Sequence, residues 1–413
     1  MSQHVTSYDV IVVGAGLVGA TFAALLAQQQ SLHKPSTSPL RIALVDPGDE
    51  PQRPDLQSMP PVFDPRVVAL THASQAVFAQ LGLWQGMTAQ RACHYQHMHV
   101  WDNDGTAHIA FDAADIQRPS LGTIVENSIL LSSVLDYLQQ QPSVTLLRGC
   151  CVDTFTRDAG AAVLHCSDGL HLTAPLIVAA DGGQSRMREL SHIPVRQWDY
   201  QHKAIVATVE SEHSHQFTAW QNFLPTGPLA FLPLDHPSEQ YCSIVWSAET
   251  ERADTLMAMD DDAFCQTLER AFEQRLGKVL GVSRRFSFPL IQRHAVDYSD
   301  NNVVLIGDAA HTIHPLAGQG VNLGLLDAQA LVAAITHAQQ RGLPVNEPSI
   351  LRRYQRQRKG HNLEVMLLME GLKRLFGSRQ LWVRWLRNMG MKTVNDASLI
   401  KKWLAKQAVQ YDE

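Results

Sequence analysis

Tyr8-Asp9-Val10-Ile11-Val12-Val13-Gly14-Ala15-Gly16-Leu17-Val18-Gly19 decides the fold. The apolar run to Val13 reads as a buried strand. The stretch from Ala20 to about Gln30, rich in Ala and Leu, reads as a helix. Between them, the first glycine makes the tight turn and the second lets the backbone approach a pyrophosphate. The third packs helix on strand, while free N–H groups and the helix dipole face the phosphates. Glycine-rich turns are common, but this one has both required neighbours. Leu40 to Asp46 reads as a second strand ending in an acid suited to ribose hydroxyls. Asp46 follows Gly19 by 27 residues, where about 20 is usual. The polar segment His33 to Pro39 reads as a loop that accounts for the excess. An acid here favours FAD or NAD over NADP. The plainer reading of Asp46 is a turn residue before Pro47-Gly48.

Composition narrows the class. A chain of 413 residues, 45% apolar, can bury a core for two to three domains. The net charge of −6 gives no general attraction to nucleic acid. From Arg341 onward there are 15 Lys plus Arg against 6 Asp plus Glu, or +9, which leaves −15 for the first 340 residues. The six cysteines have no CxxC spacing and read as reduced cytosolic thiols. A Cys150-Cys151 disulfide would be strained. No apolar run approaches the roughly 20 residues that span a bilayer, so no crossing is expected. His311 and His314 lack a ligand set with metal spacing, so no metal is expected and both read as polar loop residues.

Two further strands deliver glycine-acid turns. Leu176 to Ala180 leads into Asp181-Gly182-Gly183-Gln184-Ser185-Arg186-Met187-Arg188, and Asn302 to Ile306 leads into Gly307-Asp308-Ala309-Ala310-His311. Pro315-Leu316-Ala317-Gly318-Gln319-Gly320-Val321-Asn322 follows and turns helical from Gly320. This pattern suits a flavin. Asp308 can accept from ribityl hydroxyls, and the backbone at Gly318 to Gly320 lets a planar ring lie close. The helix that follows presents its positive end to charge developing at the N1/C2 carbonyl edge. No second GxGxxG follows a strand, which argues against a separate nicotinamide domain.

These three motifs, in this order, resemble those of the FAD monooxygenases typified by para-hydroxybenzoate hydroxylase; Asp181, Gly182, Ser185 and Arg188 match the second motif. Within that group the chain is similar to the ubiquinone-biosynthesis hydroxylases. The similar segments are Gly307 to Gly324, Val125 to Ser128, Trp198 to His202, Phe231 to Leu234 and Ser243 to Ser247. The resemblance is nearest to hydroxylases acting on a 2-polyprenylphenol, with those acting later on the benzoquinol ring close beside.

The resemblance implies an α/β fold: a Rossmann-like FAD-binding domain with an inserted α+β substrate domain and C-terminal helices. The expected division is 1–72, 115–190 and 296–340 for the FAD domain, 73–114 and 191–295 for the substrate domain, and 341–413 for the helical region. It also implies FAD as cofactor, NAD(P)H and O2 as co-substrates, and a polyprenylated phenol as substrate. The expected cofactor residues are Gly14, Gly16, Leu17, Val18, Gly19, Asp46, Arg66, Val125, Asn127, Asp181, Gly182, Arg188, Gly307, Asp308, Pro315, Gly318, Gln319, Gly320, Val321 and Asn322. Arg66 matches an arginine that reaches over the cofactor, and Asn127 stands where many relatives have arginine. Asp181 and Arg188 serve FAD and the transient NAD(P)H in the wider group, although Asp181 could simply cap its turn. No catalytic base emerges.

Trp198, Trp220, Phe223, Phe231 and Trp246 suit core packing and a substrate pocket equally. From Leu351 on, Arg and Lys interleave with Met366, Leu367, Leu368, Leu372, Leu375, Phe376, Leu381, Trp382, Trp385 and Leu386 at helical spacing. That pattern fits a basic amphipathic helix on the inner face of a membrane; the plainer reading is a tail packed on the flavin domain or another subunit. Membrane or partner contact is expected, including a quinone-synthesis complex, with the protein cytoplasmic. Rival readings are a flavin oxidase or dehydrogenase, a halogenase, for which no WxWxIP segment is found, and a non-catalytic flavoprotein scaffold.

Overall fold

The computed structural model describes residues 5–32, 39–103, 108–158, 160–313 and 319–377. Residues 33–38, Pro315, Gly318, His314 and the tail with Trp382 and Trp385 lie outside the described residues.

At the centre is a six-stranded sheet in the order Ser299–Asp300, Val303–Leu305, Leu176–Ala179, Val10–Val13, Ile42–Asp46, Val144–Arg148. Every pair is parallel except the first. Val10–Val13, Leu176–Ala179 and Val303–Leu305 are buried throughout, which explains their unbroken apolar runs, since a parallel sheet is covered on both faces. Helices Leu17–Leu32, Asn127–Gln139 and Gln319–Gln340 pack together as one layer. A four-stranded sheet, Val5–Ser7, His171–Ala174, Ala161–Cys166 and Val152–Asp158, lies against the central strands and shares their core. Gly320–Gln340 is long and apolar enough to cross a bilayer, but Leu325, Ala328, Leu331 and Ile335 are fully buried in that core.

A larger sheet runs His311–Thr312, Phe286–Ala295, Val195–Ser211, Tyr241–Glu249, Gly227–Pro233, Thr218–Leu224, His97–Asp102, His108–Asp112. Helices Thr250–Ala258 and Asp261–Ala271 cover one face, the second started by the Asp260 carboxylate accepting from the Ala263 N–H at 2.7 Å. Period-two alternation sorts the strands. Ile205, Trp246 and Leu229 pair across three strands into the helix-covered core. Their neighbours Val206, Val245 and Ala230 form a half-buried row on the opposite face.

A three-stranded antiparallel sheet, Val67–Leu70, Gly122–Glu126 and Ala92–Tyr95, joins the two halves. Ala69, Tyr95 and Ile124 pack with Ala219, Leu232 and Leu234 of the large sheet, while Val68, Leu70 and Val125 belong to the main core. Helices His72–Gln80 and Trp84–Thr88 also place Val77, Phe78 and Met87 in the main core. Val77, Phe78 and Met87, expected in the substrate region, thus pack in the same core as the nucleotide-binding strands. Helical spacing marks a buried face but not which layer buries it. Similarly, Pro348–Gly377 is one helix whose Leu351 and Tyr354 pack in the main core.

Candidate active site

In the first turn, Gly14 has φ +105, and a Cβ there would lie 2.4 Å from the Ala180 carbonyl oxygen. A Cβ on Gly19 would lie 2.0 Å from the Gly14 oxygen and 2.9 Å from the Ala180 Cβ. Those two glycines close the turn on the strand that delivers Asp181. Around Gly16 a Cβ would meet nothing within 4 Å, leaving its backbone open as a pyrophosphate needs. Asp46 reaches the turn at the end of its strand. One carboxylate oxygen accepts from the Ala15 N–H at 2.6 Å and the other from the Gly48 N–H at 2.8 Å. The acid thus shapes the turn directly, with lone pairs left for a ribose hydroxyl.

The second turn is held from inside. The Asp181 carboxylate accepts from the Ser185 hydroxyl at 2.5 Å and the Met187 N–H at 2.9 Å, the capping role. Gly182 has φ +81. Arg188 is buried and donates to the carbonyls of Ala309 at 2.8 Å and Gly183 at 2.9 Å. Its guanidinium therefore ties the second turn to the third.

In the third turn Gly307 has φ +59 and lies against Val18, whose Cγ1 would be 3.1 Å from an added Cβ. Leu17 is buried beside it. Asp308 is exposed at the third turn, yet protein encloses much of its surroundings. That enclosure pushes its carboxyl above the usual range, against the pull of His311 and Arg293. Gln319 begins the following helix, and a Cβ on Gly320 would come no nearer than 3.9 Å to the Asp308 carboxylate. Val321 is half-buried. Asn322 is fully buried, accepting from the Thr71 N–H at 3.1 Å and donating to the Ala69 oxygen at 2.8 Å. It anchors the strand after Arg66 to the helix behind the crevice.

Arg66 is exposed, and its carbonyl accepts from the Asn127 N–H at 2.9 Å. Asp64 and Glu126, which the sequence did not single out, fix this junction. The Asp64 carboxylate accepts from the N–H groups of Arg66 and Ser128 at 2.8 and 2.9 Å. Glu126, 3% exposed in its side chain, pairs with Arg91 at 2.9 Å and accepts from the Asp64 N–H. Burial raises the Glu126 carboxyl overall, opposed by the Asp64 N–H and Arg91. Val125 is buried, so only its backbone is offered.

A buried polar network lies behind the third turn. The Asp327 carboxylate has no exposed surface and takes His311 Nε2 at 2.5 Å, Arg358 Nε at 2.7 Å, the Gly307 N–H at 3.1 Å and Asn362 Nδ2 at 3.2 Å. Burial alone would raise this carboxyl, but His311 and Arg358 outweigh it and hold it below the usual range. Asn362 also reaches the Tyr298 hydroxyl, which meets His294 Nε2 at 3.1 Å. Burial, with His311 next in effect, brings His294 down to about 4. His311 is therefore a core residue, correcting its reading as a polar loop residue. The alternation of a two-residue strand is too short to show burial.

The tryptophan question also resolves. Trp220, Phe231 and Trp246 pack under the helices, with Phe231 and Phe272 stacked at 3.8 Å, whereas Trp198 is 51% exposed. On the opposite face, the buried hydroxyls of Ser243 and Ser247 have no hydrogen-bond partner among the described residues. Beside the second turn a cavity of about 510 Å³ is lined by Gln184, Arg188, His192, Gln197 and Arg293.

Open backbone at Gly16, an accessible carboxylate at Asp308 and a bare helix start at Gly320 fit a flavin dinucleotide. Residues 58–366 match the family model described as an FAD binding domain, and the chain belongs to the FAD-dependent monooxygenases of ubiquinone biosynthesis. It is 32% identical to the Escherichia coli 3-demethoxyubiquinol 3-hydroxylase over 97% of this chain and 98% of that one. It is 33% identical to the Xenopus tropicalis mitochondrial ubiquinone biosynthesis monooxygenase COQ6, covering 96% and 92% of the two chains. Identity to the Rhodospirillum rubrum ubiquinone hydroxylase UbiL is likewise 33%, over 97% and 89%. In fold, it matches the p-nitrophenol 4-monooxygenase of Pseudomonas putida with a TM-score of 0.78 at 17% identity, over 99% and 100% of the chains.

Proposed function

We propose that this monooxygenase uses NAD(P)H and O2 to hydroxylate a polyprenylated phenol, with a 2-polyprenylphenol as the first-choice substrate. The observation that carries the reading is the convergence of three distant turns on one crevice: Gly14 meets Ala180, Val18 meets Gly307, and Arg188 bonds to Ala309. When bound, FAD supplies hydride acceptance and oxygen activation. Asp46, through the turn it shapes, holds the pyrophosphate end. Asp308 receives the ribityl hydroxyls, and the helix starting at Gln319 faces charge on the reduced ring. NAD(P)H is drawn to the cavity beside Asp181-Gly182, where Arg293 supplies a cation for phosphate.

The substrate ring is assigned to the half-buried row Val206, Val245 and Ala230. Its apolar surface excludes water, and the unpartnered Ser243 and Ser247 hydroxyls can receive a ring oxygen. A prenyl tail would bring the enzyme to the inner face of a membrane. The exposed Leu363, Leu367 and Leu368, with the basic segment beyond residue 377, are the proposed contact for a bilayer or a quinone-synthesis complex.

The Escherichia coli relative's printed activity on demethoxyubiquinol favours a second reading, in which the ring is hydroxylated at a later stage. Quinone intermediates in cells lacking the gene separate the two. Accumulating 2-polyprenylphenol supports the first, accumulating demethoxyubiquinol supports the second, and a normal quinone profile refutes both.

A further inference from the structure

Cys150 and Cys166 are 16 residues apart and show no metal-ligand spacing, yet the fold brings them together. Cys150 follows the edge strand Val144–Arg148, and Cys166 ends the strand Ala161–Cys166. The turn after Cys166 is fixed by three bonds: Gly169 N–H to the Cys166 oxygen at 3.0 Å, Leu170 N–H to an Asp168 carboxylate oxygen at 3.0 Å, and Cys166 N–H to the Leu170 oxygen at 2.9 Å. The turn folds Asp168 back toward the thiols. Two sulfurs and a carboxylate oxygen lie within 4.8 Å of one another, with both cysteines buried and Asp168 exposed.

We infer that Cys150, Cys166 and Asp168 form a site for one thiophilic divalent cation of the Zn2+ or Cd2+ class. Tetrahedral bonds of about 2.3 Å to sulfur and about 2.1 Å to oxygen place donors roughly 3.5–3.8 Å apart, so these three need close by only about 1 Å. Two thiolates and one carboxylate offset the cation's charge, and water at the solvent side completes four ligands. Binding breaks two S–H bonds, forms two metal–sulfur bonds and releases two protons. The site adjoins the nucleotide turn, since the Cys150 N–H donates to the Asp46 carbonyl at 3.1 Å.

One nearby cluster could imitate it. His165 and His171 are cross-strand partners whose Nδ1 atoms lie 2.7 Å apart on the same hairpin. The pH dependence distinguishes them. A two-thiol site gains about 100-fold in affinity per pH unit while both thiols are protonated. A site on ring nitrogens lacks that two-proton slope and gives no sulfur-to-metal band.

The experiment is Cd2+ titration of the full-length, FAD-loaded, fully reduced protein from pH 6.5 to 8.5, following the sulfur-to-metal charge-transfer band in the ultraviolet. The expected result is one saturable site with the steep pH slope, retained in Cys151→Ser and His171→Gln. Cys166→Ser should lose at least 100-fold in affinity, and Asp168→Asn about tenfold. Asp168 is exposed, so that variant and the wild-type slope test the idea even if Cys166→Ser fails to fold. An absent or unsaturable band, a slope that flattens above pH 7, loss of binding in His171→Gln, or full binding by Asp168→Asn overturns the assignment.

Discussion

Replacing Arg358 with Met removes the cation from a carboxylate that has no contact with water. Asp327 is 0% exposed and Arg358 8% in their side chains, and the pair spans two helices. Breaking a buried pair at one partner costs about 3–5 kcal/mol, because the remaining charge is left without compensation. Wild-type Asp327 is held below its usual range. Its stabilisation is thus present above the unfolded value of about 3.9 and is lost as pH falls through the lower folded value. In Arg358→Met burial is opposed by His311 and the Gly307 and Asn362 donors without the guanidinium, so the folded carboxyl rises. If it passes the unfolded value, the group destabilises the fold increasingly as pH climbs. Urea unfolding of wild type and variant from pH 5 to 8 should therefore show a gap near 3–5 kcal/mol at pH 7.5 that narrows toward pH 5. The Gly307 N–H keeps Asp327 as its acceptor, but that carboxylate loses the guanidinium that orients it, so FAD binding should weaken several-fold. A gap below about 1 kcal/mol at pH 7.5, or one independent of pH, would refute the reasoning.

Gly14→Ala should abolish FAD retention after gel filtration, since its Cβ would meet the Ala180 oxygen at 2.4 Å in a left-handed conformation. Asp308→Asn should leave urea stability unchanged or slightly higher, since enclosure already disfavours the charged carboxylate, yet weaken FAD binding several-fold by fluorescence titration. Trp246→Ala should cost about 3–5 kcal/mol of stability through a core cavity, while KM for the phenol substrate stays within twofold. A large KM change would mean that this tryptophan reaches the pocket.

The strand, turn and helix at Val10 to Leu32 were legible because each signal is local: an apolar run, glycines at fixed offsets and a helical composition. The turns at Asp181 and Gly307 were legible for the same reason. Asp327 was not. It is one acid in an apolar helix, and its partners Arg358 and Asn362 lie 31 and 35 residues away on another helix. The links from the Asn322 side chain to Thr71 and Ala69, some 250 residues earlier, were equally hidden. Alternation separated Trp246 from Val245 but could not say which face the helices cover. The core that Val77, Phe78 and Met87 join was hidden for a like reason. Sequence spacing shows that a face is buried, and only tertiary structure shows against what.

Val18 fills the room that two distant glycines leave. A Cβ on Gly324 would stand 2.6 Å from Val18 Cγ2, and one on Gly307 would stand 3.1 Å from Cγ1. The three positions are thus one genetic unit. Alanine at 324 meets Val18 first and the Gly307 Cα, at 3.2 Å, second, so Val18→Ala relieves the nearer clash only, and the order in which substitutions arrive decides which survive. Gly324→Ala, lethal to the turn alone, should be partly rescued by Val18→Ala although the two sites are 306 residues apart.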